Sequence, residues 1–269
     1  KYNVTVSADN FYDVTQYKIE KEYYENPENW IINEPKTFLK DLYPIILNKA
    51  MEQKIAFLKM IKNELNTNEI IFYFSDLKKE KIVEALGFAG KIYSEQDLKK
   101  MFEIEEPVDY LYINSNSYSG NKSSLSVKQD IDYKIVPDNN FSDKLKANLK
   151  ITRVHEGSNT WPDGKNTTWM RVYVSNVAQF VSASLNGQDV SLLTEVKEEN
   201  DKKYFGLEIP LEPGQTSIWE IEYLVSKTSS YTLFVQKQPG LSEDNLTVNF
   251  LGQNLFDGIL NSNKNILEK

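Results

Sequence analysis

Asp9 and Asp13, followed by Glu20 and Glu22, set carboxylates at the start of a helix-like stretch. There they suit the positive end of a helix dipole, and they could equally hold Mg²⁺ beside a substrate phosphate. His155 ends a strand that carries Arg153, with Glu156 and Asp163 close in sequence. A Ser-His-Asp hydrolase needs its serine on a strained turn, and the chain has no Gly-x-Ser-x-Gly, so a solvated or hydrogen-bonded loop histidine is expected instead. Trp161, Trp169 and Tyr173 lie around a loop rich in Asn, Asp and Gly, the makings of a sugar-stacking platform. Trp169, Arg171 and Tyr173 also share one strand parity, which predicts that they pack together on one face of a sheet. Asp138, Asn140 and Ser142 begin a calcium-loop pattern. Asp143 and Leu149 occupy the positions that need glycine and a bidentate glutamate, so a hairpin turn is the better reading. Ser119-Gly120-Asn121-Lys122 has no strand-to-helix context for a phosphate loop and reads as an interdomain linker.

The residues that are missing narrow the field further. Without cysteine there are no disulfides, thiolate zinc sites or cysteine nucleophiles, and a single histidine rules out any site built on two imidazoles. The net charge of −8 and the presence of only two arginines, Arg153 and Arg171, argue against a nucleic-acid partner, which needs a cationic face. No cofactor is expected. A composition of 40% hydrophobic and 26% charged residues over 269 positions is that of a folded globular chain. Its longest apolar runs are far too short to span a bilayer. The start at Lys1-Tyr2-Asn3 suggests a fragment or processed product of something longer.

Apolar residues recur at helical spacing up to about Pro107. Phe38, Leu39, Leu42, Ile45 and Ile46 follow Pro35, and Ile55, Leu58, Ile61 and Leu65 continue the stripe, which predicts two amphipathic helices or one broken near Met51. Ile70 to Phe74 reads as a buried strand. A helix with the apolar face Leu77, Ile82, Val83 and Leu86 follows, capped by Ser75 or Asp76 and stopped by Gly87. Ser94 and Asp97 open another helix as a capping box, and Val108 to Asn114 reads as a second strand, completing an α/β unit. Beyond Asn121 the period becomes two. Leu125 to Ile135 and Leu145 to Ile151 predict a long hairpin around Pro137-Asp138-Asn139-Asn140. Further strands are expected at 169–174, 180–185, 204–209, 218–225, 231–236 and 246–251, with turns at Asn186-Gly187, Glu212-Pro213-Gly214 and Gln238-Pro239-Gly240.

Several segments taken in order carry a resemblance: Val6-Ser7-Ala8-Asp9-Asn10-Phe11, Lys36-Thr37-Phe38-Leu39-Lys40-Asp41-Leu42, Leu86-Gly87-Phe88-Ala89-Gly90 and Asp109-Tyr110-Leu111-Tyr112. Trp169-Met170-Arg171-Val172-Tyr173-Val174 and Gln236-Lys237-Gln238-Pro239-Gly240 are its most specific parts. The chain resembles the C-terminal half of a bacterial envelope-protein family known only as a domain of unknown function, number four-thousand-twelve. The resemblance implies an α/β region followed by a β-rich domain, displayed outside the cytoplasmic membrane by an N-terminal anchor missing from this chain. That α/β region is in turn distantly similar to LytR-CpsA-Psr glycopolymer phosphotransferases, which hold pyrophosphate and Mg²⁺ with clustered arginines and aspartates. Around Tyr17 to Leu42 this chain offers Lys18, Lys21 and Lys36 and no arginine, so that carry-over fails residue by residue.

These readings combine into an α+β, two-domain expectation: an N-terminal α/β region over 1–120, an immunoglobulin-like antiparallel β-sandwich over 121–260 and a polar tail over 261–269. The expected function is a non-catalytic, extracytoplasmic cell-envelope module with a structural or binding role, its partner an envelope glycan or surface protein. Two rivals stand beside it. One is part of a LytR-CpsA-Psr-like phosphotransferase whose Asp9 and Asp13 converge on a cleft; the other is a carbohydrate-binding sandwich using Trp161, Trp169, Arg171 and Tyr173.

Overall fold

The computed structural model describes residues 2–241 and 244–268, and the chain divides into compact units of Lys1–Asn63 and Glu64–Lys269. The first unit is built from helices: Phe11–Gln16 (α1), Tyr23–Glu25 (α2) with a π-helical stretch before it, Glu28–Ile32 (α3), Thr37–Glu52 (α4) and most of Lys54–Asn66 (α5). The expected break falls at Gln53, between α4 and α5. Only Thr15 and Phe38 are buried among its described residues, while Ile45, Ile46, Met51, Ile55 and Leu58 stay exposed. The periodicity thus forms helices without building a core around their apolar stripe.

The second unit begins with a segment that differs from expectation. Ile70 to Phe74 forms no strand: Phe72 makes one isolated parallel bridge to Ala89, and Tyr73 is 82% exposed. The Phe74 amide donates to a Glu80 carboxylate rather than to a neighbouring strand. A short apolar run without a partner to take its ladder bonds does not become a strand. Helix Leu77–Ala85 (α6) is capped by Asp76, whose carboxylate accepts from the Lys78 and Lys79 amides, and the chain leaves it through Gly87 at φ +75°. Of the expected apolar face only Val83 is buried; Leu77, Ile82 and Leu86 are exposed. Helix Glu95–Phe102 (α7) carries the complete capping box, Ser94 with Asp97, and buries Leu98.

Strands follow at Asp109–Ser117 (β1), Val127–Pro137 (β2), Lys144–His155 (β3), Asn166–Ser175 (β4), Gln179–Leu185 (β5), Gln188–Asp189 (β6), Glu195–Glu199 (β7), Lys202–Leu211 (β8), Thr216–Ser226 (β9), Thr232–Gln236 (β10), Asn245–Phe250 (β11), Gln253–Ile259 (β12) and Lys264–Leu267 (β13). They form a six-stranded sheet in the order β13-β10-β1-β4-β8-β7 and a seven-stranded sheet in the order β12-β11-β2-β3-β9-β5-β6. Alternation decides which side chains meet. Leu111 and Ile113 of β1, Met170, Val172 and Val174 of β4, and Ile131, Tyr133, Leu149, Ile151 and Ile221 from the other sheet join one hydrophobic cluster. Each such side chain contributes about 1.5–3 kcal/mol on burial. The alternate residues of β1, β4, β8 and β10 face the other way, where Tyr110, Tyr112, Tyr173, Tyr204 and Phe234 pack with Tyr93, Val108 and Leu98.

Four expectations are corrected here. The sheets are mixed rather than purely antiparallel, because β10 and β11 pair parallel to β1 and β2; such pairs need long connections, which local turn signals do not reveal. The strand expected at Val108 to Asn114 exists as β1, but it is an interior strand of the six-stranded sheet rather than part of an α/β unit with residues 70–74. The change of pattern near residue 120 marks a change of element type and not a boundary between compact units: Ser119–Lys122 is held within the second unit, with the Lys122 amide donating to Pro162 and Asn121 to Lys165. The residues expected to form a polar tail include β13, whose Ile266 is buried against β10. Lys269 lies outside the described residues. Among those described, no helix is long and apolar enough to cross a membrane.

Candidate functional site on the outer sheet face

The outward residues of β1 run Tyr110, Tyr112, Asn114, Asn116, and the register sets them beside β4: Tyr112 opposite Tyr173, Asn114 opposite Arg171, Asn116 opposite Trp169. β8 continues the rows with Tyr204 opposite Tyr173 and Gly206 opposite Arg171. Gly206 leaves room that a side chain would close, since a Cβ there would sit 3.0 Å from the Trp169 ring. The Arg171 guanidinium lies 5.5 Å from the Tyr173 ring centroid and 5.7 Å from that of Tyr204, a cation–π contact with two adjacent rings on the sheet surface. It donates to Asn114 Oδ1 at 3.1 Å and to Glu199 Oε2 at 3.3 Å, and the Tyr173 hydroxyl donates to the same Glu199 oxygen at 3.0 Å. Burial pushes the Tyr173 phenol up, and it pushes Tyr204 up to about 12 with help from the hydrogen bond to Glu195. Both stay protonated donors at ordinary pH.

A roof covers part of this face. The chain from Asn68 to Tyr93 borders a cleft of about 210 Å³ over Tyr112, Asn114 and Gln236, with Lys91 and Pro239 at its sides. The Gln236-Lys237-Gln238 motif holds the roof in place. Gln236 accepts from the Tyr110 hydroxyl at 2.6 Å and donates to the Lys91 carbonyl at 3.0 Å. The buried Lys237 ammonium meets Glu69 at 2.6 Å, while the other Glu69 oxygen accepts from the Gly240 amide. Gln238 copies a strand: its side chain accepts from the Ser115 amide and donates to the Ser115 carbonyl, continuing the bonding along β1 beyond the last β1–β10 pair, Tyr112 with Gln236. The most specific motif of the sequence therefore serves architecture, and what it frames is a cleft lined with phenol, amide and ammonium groups.

The expected site residues separate. Trp169, Arg171 and Tyr173 come together on this face, as their parity predicts. Trp161 is 43% exposed in the loop after β3. Trp219 is buried, which weakens the reading of a carbohydrate-binding sandwich. Asp9 and Asp13 are exposed, Asp9 ahead of and Asp13 within the six-residue α1; neither lines the cleft of their own unit around Tyr2, Lys18, Tyr23 and Phe38. Among the described residues no group of three or more carboxylates or imidazoles is placed to hold a metal ion. His155 is fully buried, its Nε2 hydrogen-bonded to the Gly164 carbonyl and its Nδ1 accepting from the Gly157 amide, so both ring nitrogens are occupied. Sequence reading missed Tyr112, Asn114, Gln236 and Lys91. The signal was present in the alternation of Tyr110-x-Tyr112-x-Asn114-x-Asn116, where two amides follow two aromatics on one parity.

Neither a family model nor a curated protein matches the sequence. Among solved structures, a Legionella pneumophila protein described as nutrient-binding shares 10% identity over 52% of this chain and 54% of its own, with a TM-score of 0.33. An M1 zinc metallopeptidase from Deinococcus radiodurans shares 11% identity over 46% of this chain and 30% of its own, with a TM-score of 0.24. The chain thus spans about half of the first and a third of the second, and likenesses this slight carry no functional argument.

Proposed function

We propose that the chain is a non-catalytic binding module of a bacterial cell envelope, displayed outside the cytoplasmic membrane by an anchor in the full-length protein, and that it meets an envelope glycan at the outer-face cleft. In this reading the two sheets form an immunoglobulin-like sandwich that keeps the outer face rigid. The lining of the cleft carries the proposal: the Tyr93 and Tyr112 phenols and the Asn114 amide stand in it, in a frame held by Gln236. Fixed donors and acceptors beside aromatic rings, with no carboxylate in the lining, suit a polyhydroxylated ligand. The occupied His155 ring points the same way, since the chain's single imidazole is committed to its loop.

Co-sedimentation of the whole chain with purified insoluble envelope glycan tests this. Retention of the parent and a loss of about five- to tenfold for Asn114→Ala, the value of one good hydrogen bond, is the expected result. Equal retention of parent and variant, or none by either, overturns it.

A further inference from the structure

The inward-facing side of β1 ends in a second pocket, separate from the outer cleft and independent of its reading. It is lined by the exposed Ser117 and Ser124, the half-buried Ser115 and Asp244, and the buried Gln129 and Arg153. Arg153 projects from β3 into the space between the sheets, opposite Gln129, and is 4% exposed. Its Nη2 donates to Asn166 Oδ1 at 3.0 Å and to Thr168 Oγ1 at 3.3 Å. Its Nη1 is buried with no hydrogen-bond partner, and so is the Ser115 hydroxyl in the same pocket. Asp244 is tied to the far side, where Gln129 donates to its Oδ2 at 2.8 Å. A guanidinium with an idle buried donor is costly unless something with lone pairs or negative charge meets it.

We propose that this pocket binds a small free carboxylate anion, with Arg153 Nη1 and the Ser115 hydroxyl as its donors. The size agrees: a space of about 50 Å³ is several times the roughly 10–15 Å³ that one water requires, enough for formate or acetate and too little for an aromatic acid. Asp244 sets the conditions. Burial pushes its carboxyl up to about 6, against the pull of Gln129, Arg153 and Lys237 and with the repulsion of Asp130. The neutral form leaves Arg153 to the guest, whereas the ionised form repels it.

The two arginines make the test direct, because a chain labelled with [¹⁵N]arginine gives guanidinium signals from Arg153 and Arg171 alone. Titration with acetate, against chloride at equal ionic strength, should move the Arg153 signal saturably and leave Arg171 in place. The affinity should fall about tenfold per pH unit above about 6. Asp244→Asn should make it independent of pH, and Ser115→Ala should weaken it about fivefold. Benzoate should not bind. An Arg153 signal that ignores acetate, as in a pocket holding water alone, overturns the proposal; so does one that responds equally to chloride or benzoate.

Discussion

Along β1, Asp109 opens the strand while Ser115 and Ser117 close it, so the two ends of one inter-sheet space meet two different buried charges. At the first end Asp109 accepts from the Tyr110 amide at 2.8 Å, the Tyr133 hydroxyl at 2.7 Å and the Tyr231 hydroxyl at 2.5 Å, and Tyr223 supports Tyr133 at 2.9 Å. Burial pushes this carboxyl up, and the three donors hold it back. At the second end Arg153 satisfies only one of its two terminal nitrogens, and burial lowers it to about 10 despite the attraction of Asp244. A closed network specifies packing, whereas an open one keeps a binding group available; the difference separates a structural buried charge from a functional one.

The largest effect should come from the closed end. Asp109→Ala would strand two buried hydroxyls and one amide, each costing about 1–3 kcal/mol when left unmade, so a loss of roughly 4 kcal/mol is expected in urea denaturation. A loss under about 1 kcal/mol would mean that the network closes without its carboxylate, and the contrast with Arg153 would weaken.

Much of this frame is legible in the sequence, and the gaps have physical causes. Parity placed the β2–β3 hairpin and gathered Trp169, Arg171 and Tyr173, because half-buried strands write their register as alternation. The capping box at Ser94 and the Asp76 cap were readable because capping depends on local side-chain chemistry. β7 and β12 were not: Glu195–Glu199 is a charged edge strand, as edges often are to discourage further pairing, and Gln253–Ile259 sets Leu255 and Phe256 side by side, which breaks the alternation of a half-buried strand. Residues 70–74 misled because an apolar run names no partner. The outer cleft and the Arg153 pocket stayed hidden for a related reason. Each joins residues far apart in sequence, Gln129 with Asp244 or Tyr112 with Gln236, and such long-range pairings leave no local pattern.

The second-largest effect concerns pH. Asp244 ionises at about 6 when folded and at roughly 4 in an unfolded chain. Below about pH 4 both states hold the proton, and the contribution to stability is fully present. As pH rises from there through 6 only the folded state keeps the proton, so stability falls, by at most roughly 3 kcal/mol for two pKa units. Denaturation midpoints across that window should flatten in Asp244→Asn; an unchanged slope would assign the dependence to another group. Tyr223→Phe is a smaller probe of the closed end, removing one supporting hydrogen bond for about 1 kcal/mol, again by urea denaturation.

The smallest expected effect is the most telling. Arg153→Met removes a desolvated cation along with its two hydrogen bonds, but the partners keep others: Thr168 still donates to Asn166 Oδ1 at 2.7 Å, and Asn166 Nδ2 still donates to Ser123 and Ser124 at 3.1 Å. Replacing a poorly compensated buried charge by an apolar chain of similar length is often neutral. Stability near pH 5 should therefore change by less than about 1 kcal/mol in either direction, while acetate should no longer raise the melting temperature. A cost near that of Asp109→Ala would show that Arg153 holds the fold as Asp109 does, and the two ends of the core would then differ only in how they are closed.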